Sequence, residues 1–213
     1  MGAVGSLAAD LEKRWFQAAA KGDEAEVRRL AEHRRFDLNV RDSRGLTALM
    51  MATANGHAGC LWLLLQLGAE VDAIDAVGWT AATHAAFKGQ EKCLGLLVEG
   101  GAFMDARDFL GTTPAMRAAI GGHEPCLRML REHGADLQAR DNLGITAATH
   151  ATRKGHHACV GIINRTRSPR SDERLAATTL LARHRSSCHR GKNQGSCPST
   201  FKLKSNAGSS APY

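Results

Sequence analysis

The sequence predicts an all-α solenoid, a stack of helix–turn–helix units joined by β-turn or hairpin-like loops. Three observations predict it: a 33-residue internal period, a turn signal at one fixed place in each period, and two short apolar stretches behind that turn. Asp recurs at Asp42, Asp75, Asp108 and Asp141, with Gly three residues on (Gly45, Gly78, Gly111, Gly144) and Thr two after that (Thr47, Thr80, Thr113, Thr146). Two further columns keep the same register, Gly56, Gly89, Gly122, Gly155 and Cys60, Cys93, Cys126, Cys159.

The chain opens with residues 1–10, read as a disordered N-terminus, followed by a degenerate first unit at about 11–41. That unit, Trp15 to Asp23 and then Val27 and Leu30, lacks the turn and reads as an N-terminal cap. The complete units follow at about 42–74, 75–107, 108–140 and 141–166. In each, Asp-x-x-Gly suits a type I turn with Asp first and Gly last. The Thr ahead of an apolar stretch reads as an N-cap, and Pro114 takes the first helical position, where its missing N–H costs nothing. A short Ala-rich helix, such as Ala81 to Lys88, ends at the second Gly, which suits a left-handed helix end. A second helix then runs Cys60 to Gln66, Cys93 to Glu99 or Cys126 to Glu132, closed by Gly68, Gly101 or Gly134. No helix of this length is stable alone, so the units must stack.

These residues resemble the ankyrin repeat, whose unit runs D-x-x-G-x-T-P-L-H-x-A-A-x-x-G-H, then V-x-x-L-L and G-A. The fullest copy is DFLGTTPAMRAAIGGHEPCLRMLREHGAD, Asp108 to Asp136, and the resemblance covers about Leu11 to Thr166. The departures are specific. Ala48, Ala81 and Ala147 stand where the family has Pro, and Met50, Thr83, Met116 and Thr149 stand where it has the His of T-P-L-H. That His ties neighbouring units in the family, so a less stable array is expected. The last copy runs His157 to Asn164 and then meets Arg167-Ser168-Pro169 where Gly-Ala is due. A terminal unit needs a polar outer face, which Val160, Ile162 and Ile163 do not supply. Asp172 to Arg185 reads either as a stand-in capping helix or as part of a disordered tail.

Composition is 43% apolar and 23% charged, ordinary for a soluble domain. No apolar run approaches the length of a membrane helix, and the start lacks signal-peptide character. Six cysteines are therefore expected as thiols, in the cytoplasm and also the nucleus. The net charge of +7 belongs to the basic segment 167–213, read as a disordered tail, because acids and bases balance before it.

Chemical motifs are sparse. Columns of equivalent cysteines in a stack of units lie about 8–10 Å apart, too far for a disulfide or a shared zinc, so each reads as a small buried hydrophobe. Cys188, His189, Cys197 and His184 make only half a zinc site, without the spacing of a finger. His57, His123 and His156 fall in the Gly-His turn, and His84 and His150 recur in T-A-A-T-H-A. No Ser-His-Asp order, Walker loop, H-E-x-x-H or paired C-x-x-C is present. The sequence thus predicts a protein that is not an enzyme and uses no metal or cofactor. Met1 to Ser6 matches the acylation pattern at Gly2, with no second anchor beside it. Ser168 and Ser186, flanked by Arg, are candidate phosphorylation sites.

The resemblance implies a protein partner held on a concave face made from turn tips and first helices. By position that face holds Arg44, Leu46, Val77, Trp79, Phe87, Lys88, Arg107, Phe109, Leu110, Arg140, Leu143 and Ile145. Apolar side chains at turn tips signal an interface, and Trp and Arg dominate binding hot spots. Trp62, on the second helix, suggests an outer contact. The expectation is a monomeric adaptor for a protein with an apolar anchor and acidic groups. The alternatives are an adaptor tethered to a membrane through an acylated Gly2, or one whose basic tail holds nucleic acid non-specifically through phosphate contacts.

Overall fold

Each Asp of the 33-residue column closes a tight turn in the computed structural model, which describes residues 2–32 and 37–165. Asp42 accepts the Gly45 N–H on its carbonyl at 2.9 Å. Its Oδ1 accepts the N–H groups of Arg44 (2.9 Å) and Leu46 (2.8 Å). Asp75, Asp108 and Asp141 repeat this arrangement. Two residues past each Gly, a Thr hydroxyl accepts the backbone N–H three positions on and starts a helix.

The helices follow in pairs. The first unit holds α1 (Gly2–Lys21) and α2 (Glu24–Ala31), and the second α3 (Ala48–Ala54) and α4 (Ala58–Gln66). The third holds α5 (Ala81–Lys88) and α6 (Glu91–Glu99), the fourth α7 (Pro114–Gly121) and α8 (Glu124–Glu132), and the fifth α9 (Ala147–Arg153) and α10 (His157–Asn164). Each pair is antiparallel. Odd-numbered helices pack in one row and even-numbered helices in another, each against its neighbour one unit away. No strand is present among the described residues, and a single antiparallel bridge joins Arg140 to Thr146.

The core lies between the rows. Ala52, Ala85, Ala118 and Ala151 are buried on the first helices, and Leu61, Leu94 and Leu127 on the second. Alanine on one row lets the leucines of the other approach closely. Each buried Leu contributes about 1.5–3 kcal/mol, and Leu94→Ala would cost about 2–5 kcal/mol because its surroundings cannot collapse into the gap. Trp15, Val27 and Leu30 seal the first end of this core, as expected of a cap.

Units are also stitched by polar groups. The Nε2–H of His57, His123 and His156 donates to the carbonyls of Ala20, Phe87 and Ile120 in the preceding unit. On the opposite loops, Asn39, Asp72 and Asp105 accept the N–H groups of Glu70, Phe103 and Asp136.

Three features bear on the sequence expectations. Residues 2–10, which read from sequence as a leader, fall within the bounds of α1. Where the family's His is missing, Met50 and Met116 are buried in the core and the hydroxyls of Thr83 and Thr149 meet those of Thr80 and Thr146. At the far end Ile162 and Ile163 point into the core, so α10 does not turn an apolar face outward there. Without a glycine stop, its last carbonyls are served by side chains of the fourth unit, Ile162 by Arg131 and Ile163 by Gln138. Ser168, Ser186, Cys188, His189, Cys197, His184, the segment Asp172 to Arg185 and the tail 167–213, with the expectations placed on them, lie outside the described residues.

Candidate protein-binding face

The turn tips form a ladder. Backbone N–H groups of Ala76, Phe109 and Asn142 donate to the carbonyls of Arg44, Val77 and Leu110, each one unit back. Asn142 adds a side-chain bond to the Phe109 carbonyl at 3.1 Å. Arg41 and Arg107 reach forward to the carbonyls of Ile74 and Arg140. The tips therefore stand in line at fixed spacing, and the side chains between the turn bonds have nowhere to go but outward.

What they display is apolar. Val77 is 54% exposed, Phe109 and Leu110 66% each, and Leu143 83%. Leu46, Phe87 and Ile145 are half-buried at the base of the ridge, whereas Arg44, Lys88, Arg107 and Arg140 are exposed. The structure thus brings the sequence-picked residues onto one face, with one exception in kind.

Trp79 is not a free tip residue. Its Nε1–H donates to Asp108 Oδ2 at 3.1 Å. The Arg117 guanidinium stacks 4.5 Å from its ring centre and bonds that same carboxylate oxygen. His84 and Phe87 close its other sides, with ring centres at 5.1 and 5.2 Å. Trp79 is half-buried and ties the third unit to the fourth.

The companions of Trp79 belong to a column of which the recurrence of His84 and His150 in T-A-A-T-H-A is only a part. Nine residues after each turn Asp stand Met51, His84, Arg117 and His150. His84 Nε2 and His150 Nε2 each lie 2.9 Å from the Oδ2 of Asp75 and Asp141, and Arg117 does the same for Asp108. The 33-residue register alone would have revealed it. Burial pushes the His84 imidazole below its ordinary 6.5, against the upward pull of Asp75. Burial would raise the Asp141 carboxyl, but the N–H groups of Ile145 and Leu143 and the His150 ring outweigh it and hold the pKa below 3.8.

Charge is unevenly placed in the four complete units. From Arg41 to Gly56, Ile74 to Gly89, Arg107 to Gly122 and Arg140 to Gly155, the only carboxylates are the four turn aspartates, all consumed within their turns. The exposed ionic groups of this face are cations: Arg41, Arg44, Lys88, Arg107, Arg140, Arg153 and Lys154. The exposed acids Glu70, Asp72, Glu91, Glu99, Glu132 and Asp136 sit on the second helices and their loops, beside exposed Lys92 and Arg128, and Asp10 and Glu12 are exposed on α1. Trp62 is on that opposite side, 51% exposed on α4.

The cysteine column is buried and free. Burial raises all four thiols, Cys60 and Cys126 to about 11, which suppresses the reactive thiolate. No helix among the described residues is long and apolar enough to cross a membrane.

A stack of turn–helix–turn–helix units with a paired turn ladder defines a helical repeat protein. Two family models match, ankyrin repeats (3 copies) over residues 15–108 and ankyrin repeats (many copies) over 115–160. The chain belongs to the ankyrin-repeat family, whose arrays are generally protein–protein interaction modules. No curated protein matches the chain.

Proposed function

We propose that this protein is a non-catalytic adaptor, and that the tip ridge with the adjoining first helices binds a partner protein presenting apolar side chains among carboxylates. The observation that carries this reading is the coincidence on one face of exposed Val77, Phe109, Leu110 and Leu143 with cations, the turns and first helices of the second to fifth units holding no acid except the turn aspartates. Apolar tips supply the buried centre of an interface and the arginines its rim and orientation. The stitched units are rigid before binding, which limits the ordering cost.

The test is affinity capture with the full chain carrying a photo-crosslinking residue at position 88, beside the same protein with Val77→Ser/Phe109→Ser/Leu143→Ser added. Circular dichroism must first show that both are folded. A crosslinked protein lost with the triple variant supports the reading and identifies the partner. Capture of the same proteins by both overturns it.

A further inference from the structure

The fifth unit ends in a surface built as an internal interface. Thr149 and Thr152 are exposed, whereas their counterparts one unit apart are buried: Met50, Thr83 and Met116 in one column, Thr53, Ala86 and Ala119 in the other. Val160 is half-buried where Leu61, Leu94 and Leu127 are fully enclosed. A Cβ placed on Gly45, Gly78 or Gly111 would strike the following unit, but one placed on Gly144 meets nothing within 4 Å among the described residues. The same contrast holds between Gly56, Gly89 and Gly122 and the terminal Gly155. Leu143, at the edge of this surface, is the most exposed of the large apolar side chains among the described residues, at 83%.

The chain itself carries a segment whose sequence resembles its first helices. Residues 176–183 read Ala-Ala-Thr-Thr-Leu-Leu-Ala-Arg, and first helices begin Ala81-Ala82-Thr83 in the third unit and Ala147-Ala148-Thr149 in the fifth. Asp172 and Glu173 precede the match, and Arg183, His184 and Arg185 end it, the charge order that a helix dipole favours. In register with α9, Ala177 falls in the column of Ala82, Ala115 and Ala148, and Leu181 in that of Ala86, Ala119 and Thr152. Leu180 stands in the column of Ala85, Ala118 and Ala151.

Connection is feasible. The chain leaves α10 at Arg165 in an extended conformation, and residues 166–175 remain before the match. At about 3.3–3.6 Å per residue they can span well over the roughly 8–10 Å between packed helices. The corresponding link between the fourth and fifth units, from α8 to α9, is only slightly longer.

We propose that residues 172–185 cover the open face of the fifth unit, with 176–183 lying along α9 as a sixth first helix that has no second helix of its own. Tethering makes this contact intramolecular, at an effective concentration near millimolar, so it outcompetes a second copy of the chain. The segment completes the C-terminal cap that α10 alone does not supply, and it shields Thr149, Thr152 and Val160 from solvent.

Hydrogen exchange of the full chain tests this, with Leu181→Glu, Thr152→Arg, the double variant, and Phe201→Glu/Leu203→Glu as a control in the other apolar part of the tail. The expected result is that amides of α9 and α10 exchange about tenfold faster or more in Leu181→Glu and in Thr152→Arg. The double variant should exchange no faster than either single, and the control should match wild type. Additive effects, no effect of Leu181→Glu, or an equal effect of the control overturns the proposal. So does protection that disappears on dilution together with a dimer in sedimentation, because a second copy would then be the occupant.

Discussion

Arg117 and Trp79, on neighbouring units, share one carboxylate oxygen: both donate to Asp108 Oδ2 while the guanidinium lies against the indole face. The turn of the fourth unit is thereby fixed to the first helix of its own unit and to the tip of the third. Asp108 is nearly inaccessible, its side chain 1% exposed and Arg117's 15%, so neither charge is solvated well without the other.

Arg117→Ala should therefore destabilise the array by about 3 kcal/mol, the lower end of what removal of one member of a buried pair costs. It falls at that end because Asp108 keeps the N–H groups of Leu110 and Thr112 and the indole N–H. Urea unfolding followed by tryptophan fluorescence reads the loss. A shift below about 0.5 kcal/mol, the range of ordinary surface substitutions, would show that the pair is not a staple.

Acid should weaken the protein in two windows. The His84 pKa is lowered on folding, chiefly by burial, so the unfolded chain binds more protons below 6.5. Stability is then full above that value and falls as pH drops through the lower, folded value. Asp141 is likewise lowered and adds its own loss only below its ordinary 3.8. His84→Gln should flatten the upper window of a pH series of thermal midpoints and leave the lower one in place.

Gln90 occupies the place at which His57, His123 and His156 each reach a carbonyl of the preceding unit. Gln90→His should restore that bond toward Ala54 and raise stability by about 0.5–1 kcal/mol. His123→Ala should lower it by about 1–2 kcal/mol by leaving the Phe87 carbonyl unserved. Chemical denaturation of the two variants beside wild type gives both signs at once.

The buried thiols should be silent in the folded state. At pH 8, Cys60, Cys93, Cys126 and Cys159 are both enclosed and shifted upward in pKa. Peptide mapping after alkylation should find them unmodified until urea unfolds the array. Rapid labelling of Cys126, the most enclosed of them at 0% exposure, would contradict the packing described.

The sequence by itself determined the period, the turn at each Asp, the Thr caps, the helix pairs and the columns that become core. All of these rest on interactions within a few residues of each other, repeated at fixed spacing. It also placed Val77, Phe109, Leu110 and Leu143 on one face, because register is enough to put equivalent positions in line. The tertiary structure decided the rest. Trp79 reads from sequence as an exposed anchor, but Arg117, 38 residues away, covers it. Arg131 and Gln138 cap α10 from the unit before it. Such contacts join side chains of different units, and whether a long side chain spans that gap or turns to solvent depends on stacking geometry that local sequence does not encode.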